Sequence, residues 1–132
     1  MLRSRHVLVL AFALACHSKP APQNAVQNEM LLLEDAMRDS VTAIARDNLA
    51  SIPQSLHRVH EAREATEHAL ETGTYVLHRN ANRREDFEKM DRAFHAELEK
   101  LEETANTNDS AKTATQLGAV LTQCNGCHAD FR

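Results

Sequence analysis

Residues 85–105 read EDFEKMDRAFHAELEKLEETA and carry the most regular apolar stripe in the chain. Apolar side chains recur there at steps of three and four residues, which is the spacing of one face of an α-helix. Charged residues fill most of the other positions, as expected for a helix with one buried side and one side in water. The stripe consists of Phe87, Met90, Phe94, Leu98, Leu101 and Ala105.

Three other segments show the same period, over residues 27–50, residues 53–78 and from residue 110 onward. In the first segment the predicted stripe is Met30, Leu33, Met37, Val41, Ile44 and Asn48. In the last it is Ala114, Leu117, Val120 or Leu121, Cys124, His128 and Phe131. The connections between segments are short, which favours antiparallel neighbours. The sequence therefore predicts an all-α fold, an antiparallel up-down-up-down four-helix bundle.

The composition suits a helical domain whose core is poor in large side chains. The chain has 132 residues, with four Phe, one Tyr, no Trp, three Gly and three Pro. This length is sufficient for one domain. Because few aromatic side chains are available to fill the interior, a bulky apolar cofactor would complete the core.

The N-terminal residues 1–15 have the features of a signal peptide. Arg3 and Arg5 precede the apolar run VLVLAFALA, which is too short to span a bilayer. Cys16 follows a small residue, as in the lipobox of bacterial lipoproteins, where this cysteine becomes the lipidated N-terminus. The alternatives are an Ala-x-Ala cleavage site with Cys16 as a bystander, or a membrane anchor. Residues 16–26 are then a lipid-anchor or linker segment, and residues 27–132 form the bundle.

Export and charge restrict the location and the partners. Removal of residues 1–15 takes away two arginines and no acidic residue, so the net charge changes from −4 to −6. An acidic surface argues against nucleic acid as a partner and is compatible with a basic redox partner. The expected location is the periplasm or cell envelope of a bacterium, with contact to the membrane only through a lipid on Cys16.

The segment CNGCH at residues 124–128 is the attachment pattern of c-type haem. Two thiols three residues apart lie on one helical face and can each bond to a vinyl group of the same porphyrin. The next residue is then held beneath the iron. The pattern predicts one covalent haem c, with thioethers at Cys124 and Cys127 and His128 as the proximal iron ligand.

Three other readings of this segment remain open. A thioredoxin-like pair would open a helix after a strand, where the helix dipole lowers a thiol pKa. A zinc site would need a fourth ligand beyond Cys124, Cys127 and His128. A structural disulfide is also compatible with export. In the last two cases the chain would be a helical interaction module without haem.

The position of the motif makes the chain resemble a known family. A single Cys-x-x-Cys-His in the last helix, within LGAVLTQCNGCHADFR at residues 117–132, resembles the class II cytochromes c, the cytochrome c′ family. The resemblance implies a four-helix bundle with covalent haem on the C-terminal helix, and pairing of two copies through the first two helices. It also implies that Arg132 lies beside the haem; alternatively, Arg132 only complements the helix dipole.

The resemblance also directs attention to the residue on the other side of the iron. In low-spin relatives a methionine of the first helix is the distal ligand, and counting back from the end of that helix reaches Met37, with Met30 as the alternative. Met/His ligation suits electron transfer, which predicts a carrier of single electrons rather than an enzyme. An apolar distal side would instead leave a five-coordinate haem that binds NO or CO. A second histidine as distal ligand, for example His95, is a further alternative.

Overall fold

The computed structural model describes residues 24–132, and the predicted signal peptide and Cys16 lie outside the described residues. Within that range the chain is all-helical. The four long helices are α1 (Ala25–Ala45), α2 (Ile52–Glu71), α3 (Arg84–Asn106) and α4 (Ser110–Phe131), with short 3-10 turns at Leu49–Ser51 and Ala81–Arg83. The prediction of four helices is confirmed. None of the helices in the described part is long and apolar enough to cross a membrane.

Local chemistry explains where α1 and α4 begin. The side chain of Asn24 accepts a hydrogen bond from the backbone N–H of Gln27, and that of Asp109 accepts one from Lys112. Each bond satisfies one of the free N–H groups in the first turn of a helix. α2 begins differently: Ser51, the residue before it, has helical dihedral angles and makes no capping bond. The 3-10 turn at Leu49–Ser51 leads directly into α2.

Two helices are shorter than predicted because the backbone turns left-handed soon after each one ends. α1 ends at Ala45 rather than near residue 50, because Asp47 adopts a φ of 51°. α2 ends at Glu71 rather than near residue 78, and Gly73, with a φ of 71°, follows it. Glycine takes this conformation at little cost, and Asp tolerates it better than most residues.

The helices form two packed regions. The main core lies where α1 packs on α2 and α3 packs on α4, and its largest fully buried members include Leu49, Ile52, Leu56, Leu98 and Leu101. Contacts of α2 with α3 and of α1 with α4 complete the bundle. A second cluster is separate from the main core and consists of Leu70, Leu77, Phe87 and Phe131.

The buried face of α1 differs from the predicted stripe. Its most buried positions are Val26, Glu29, Leu33, Ala36, Ser40 and Ala43. Met30 and Val41, both predicted inside, are 38% and 54% exposed. The prediction is wrong at these positions because small side chains at 36, 40 and 43 form the packed face. On α3 the predicted stripe is confirmed at Phe87, Phe94, Leu98, Leu101 and Ala105.

Candidate functional site

The CNGCH segment forms part of the last two turns of α4, between the two packed regions. Cys124 is half-buried and packs against the main core, whereas Cys127 is half-buried and packs against the second cluster. Both are free thiols. His128 is exposed, which corrects the expectation that it shares the inner face with Leu117 and Phe131. The helix thus holds both thiols toward the interior and leaves the imidazole at the surface.

Aromatic packing holds the last turn of α4 in place. Phe131 is buried in the second cluster, and its ring meets that of Phe87 edge-on with 5.3 Å between centroids. The guanidinium of Arg83 lies 5.6 Å from the centroid of the Phe131 ring, within the range of a cation–π interaction. Phe131 therefore anchors the helix turn that follows the predicted iron ligand.

Polar contacts from the loop between α2 and α3 fix the same turn. The side chain of Asn80 donates a hydrogen bond of 2.7 Å to the backbone carbonyl of Asp130, and Arg83 lies 3.4 Å from the carboxylate of Asp130. Arg79 donates to the backbone carbonyl of Arg132 at 3.4 Å. A helix end normally leaves its last carbonyls without partners in the helix. Here the loop supplies partners, so the segment that carries the motif is held in place.

The electrostatic surroundings keep both thiols protonated. Burial raises the pKa of the Cys124 thiol. Burial, followed by the negative charge of Asp91, raises the pKa of Cys127 to about 11. Thiolates, not thiols, are the nucleophiles of disulfide exchange and the ligands of zinc. These pKa shifts therefore disfavour the thioredoxin-like interpretation of the motif.

The raised pKa of Cys127 can be tested by alkylation of the haem-free folded protein. Relative to a thiol of pKa 9, a pKa of about 11 leaves about 100-fold less thiolate at pH 8, and the higher nucleophilicity of the more basic thiolate recovers about 10-fold. We expect iodoacetamide to modify Cys127 about 10-fold more slowly than the unfolded chain in urea, with fragment-ion mass spectrometry as the readout. Asp91→Asn should speed the reaction only in part, because burial is the larger cause. Equal rates in folded and unfolded protein would contradict the raised pKa.

The predicted distal residues differ in their surroundings. Met37 is half-buried and packs against the main core, as Cys124 does, whereas Met30 is exposed on α1. Met90 on α3 packs against the second cluster together with Cys127. A side-chain carbon added at Gly126 would come no closer than 3.9 Å to the methyl group of Met90, so the motif has room around it. The structure thus brings Met37 and Cys124 to the same core.

Arg132 makes its hydrogen bonds at the end of α4 through its backbone. Its side chain is exposed, its N–H donates to the carbonyl of His128 at 3.3 Å, and its carbonyl accepts from Arg79. The structure therefore places Arg132 one turn after His128, as the helical spacing predicts. Its predicted place beside the haem stays a prediction.

Among the remaining histidines the sequence reasoning missed the most buried one. His57, His68 and His78 are exposed. His95 is 1% exposed, and its Nε2 lies 3.1 Å from Oε1 of the equally buried Glu29. His60 is half-buried, with its ring centroid 6.0 Å from that of His95. The D-x-x-x-H spacing of Asp91 and His95 on one helical face was the available sequence signal.

Comparison with known proteins gives one result that spans most of the chain. A family model described as Cytochrome C' matches residues 23–132, which includes all four helices and the CNGCH segment. No curated protein and no solved structure gave a match.

Proposed function

The chain belongs to the cytochrome c′ family, and from this we propose that it is an exported monohaem c-type cytochrome that carries single electrons. One observation carries the proposal. Within a chain that matches this family, the two thiols of CNGCH are half-buried on α4, with Cys124 against the main core and Cys127 against the second cluster. The bundle that presents them would run up-down-up-down, with α1 packed on α2 and α3 on α4.

The residues of the motif fit a covalent haem. Cys124 and Cys127 would each form a thioether with a vinyl group, and His128, exposed one position later, would provide the proximal imidazole. Bound haem supplies the one-electron couple of its iron. The protein would hold this group in place through Phe131 and the contacts of the α2–α3 loop, so that little rearrangement accompanies a change of charge. We propose no substrate turnover of its own.

A methionine on the distal side favours electron transfer over gas binding. Met37 is half-buried against the same core as Cys124, whereas Met30, the alternative, is exposed. Met37 as a thioether ligand of the iron would raise the redox potential and would prevent small gases from binding. The second candidate function is a five-coordinate haem that binds NO or CO, and it requires that Met37 be only a core residue.

The test is a visible spectrum of the dithionite-reduced protein before and after addition of CO. The protein is made in a host that matures c-type haem. A narrow α band that CO leaves unchanged would support six-coordinate iron and electron transfer. A broad high-spin spectrum that CO shifts would favour the gas-binding function and remove Met37 as a ligand.

Replacement of the predicted ligand gives a sharper result. Met37→Leu keeps the volume and apolar character of the side chain but removes the sulfur, so the reduced spectrum should become high-spin and CO-sensitive while the helix content is unchanged. Met90→Leu is the matched control, since Met90 is also half-buried near the motif. Met30→Leu tests the alternative ligand. A Met37→Leu protein with the wild-type spectrum would rule out Met37 as the distal ligand.

The proposed location and partners follow from the N-terminus and the charge. Export with removal of residues 1–15 would place the domain in the periplasm or at the cell envelope, anchored by a lipid on Cys16. The net charge of −6 after this removal favours a redox partner with a basic contact surface. We also propose that two copies of the chain pair, as members of this family often do.

A further inference from the structure

Three side chains with metal-binding atoms meet inside the bundle, between α1 and α3. Glu29 comes from α1, whereas Asp91 and His95 come from successive turns of α3. Nε2 of His95 lies 3.1 Å from Oε1 of Glu29 and 3.6 Å from Oδ1 of Asp91. The three ligand atoms all lie within 4.8 Å of one another.

Several polar atoms of this cluster are buried without a hydrogen-bond partner. They include Oε2 of Glu29, Nδ1 of His95 and Nε2 of the neighbouring His60. Glu29 and His95 are each 1% exposed, so little water reaches them. Buried carboxylate oxygens in native proteins nearly always have a partner. The free oxygen of Glu29 therefore points to a ligand that accepts its lone pairs, and a cation is such a ligand.

The distances match the requirements of a small cation. A tetrahedral ion with bonds of about 2.0–2.2 Å holds its ligand atoms about 3.3 Å apart. The observed separations of 3.1 Å and 3.6 Å lie on either side of this value. The oxygens of Glu29 and Asp91 lie no more than 4.8 Å apart, so movements of side chains would let a cation enter between His95 and the two carboxylates.

The two acidic side chains of the cluster also favour a cation. The carboxylates of Glu29 and Asp91 lie close together inside the bundle, where like charges repel each other. A divalent cation between them would offset this repulsion.

We propose that Glu29, Asp91 and His95 form a binding site for a divalent transition cation, with water at the remaining position. The mixture of one imidazole and two carboxylates suits zinc, iron(II) or manganese better than calcium, which prefers oxygen ligands alone. The bound ion would connect α1 directly to α3. It would brace two helices whose main packing partners are α2 and α4 rather than each other.

The test uses the haem-loaded protein and zinc as the probe. After removal of metals with a chelator, equilibrium dialysis against Zn²⁺ should give one tightly bound zinc per chain, and zinc should raise the melting temperature. Glu29→Gln and His95→Gln should each weaken binding by about 100-fold or more, since loss of even an outer-shell partner costs 10–100-fold. Asp91→Asn should also weaken zinc binding. Because Asp91 is partly exposed, this variant should still fold if the substitutions at the fully buried positions prevent folding.

A surface pair provides the matched control. His57 lies 3.4 Å from Glu61 on the exposed face of α2, so it offers the same kinds of ligand in water. His57→Gln should leave zinc affinity and stoichiometry unchanged. The proposal is wrong if wild type retains no zinc, or if binding survives unchanged in the Glu29, Asp91 and His95 variants. It is also wrong if His95→Gln changes the haem spectrum, because His95 would then belong to the haem centre.

Discussion

Serine at both Cys124 and Cys127 is expected to leave the chain without any covalently attached haem. A hydroxyl does not form the stable bond to a porphyrin vinyl group that a thiol does, so the haem would be lost when the protein is denatured. The measurement is a haem stain after denaturing electrophoresis, on protein made in a host that matures c-type haem. Either single serine variant should retain haem through the remaining thioether, at reduced yield.

Gly126→Ala is the matched control for this experiment. It changes a residue between the same two cysteines, and the added carbon would meet only the methyl group of Met90 at 3.9 Å. Alanine is also favoured over glycine in a helix by about 1 kcal/mol, so attachment should be preserved. A haem stain that persists in the double serine variant would remove the basis for a c-type cytochrome. No stain in wild type would favour the interaction module instead.

Leu98→Ala should cause a large loss of stability. Leu98 is fully buried on α3 within the main core. Removal of three carbon atoms from such a site typically costs about 2–5 kcal/mol, because transfer energy is lost and a cavity remains. For a domain of this size, that corresponds to a fall in melting temperature of roughly 10 °C or more. Thermal unfolding followed by circular dichroism measures it.

Leu121→Ala provides the comparison with the same chemical change. Leu121 lies on α4 with 46% of its surface exposed, so its truncation should change stability by less than about 0.5 kcal/mol. Similar melting temperatures for the two variants would mean that the main core is not packed as described. The two substitutions together thus test the packing itself rather than the general effect of losing a leucine.

Periodicity predicted the helices well where the apolar residues were large. Phe87, Phe94 and Leu98 leave little choice of buried face, and α3 packs as expected. The face of α1 was harder to predict, because LLL at residues 31–33 supplies apolar side chains on several faces. Small residues such as Ala36 and Ser40 then determine the contact, since they let neighbouring helices approach closely. A hydrophobic pattern alone does not show how closely two helices can approach.

The haem-attachment motif could be predicted from neighbouring residues, whereas the buried cluster of Glu29 and His95 could not. The spacing of Cys124, Cys127 and His128 is local, so their placement on one stretch of α4 could be predicted. The pairing of Glu29 with His95 joins residues 66 positions apart. It depends on how α1 and α3 face each other across the bundle. No pattern within either helix specifies that relation, and so this buried contact between Glu29 and His95 was not predicted.

The separation of the second cluster from the main core has a consequence for how the molecule opens. Exposure of the four buried side chains of the second cluster costs less free energy than exposure of the main core. The amide hydrogens around the second cluster should therefore exchange first in the haem-free chain. Cys124 belongs to one region and Cys127 to the other. A rigid group bonded to both would make the two regions open together. Attachment would then convert two cooperative units into one.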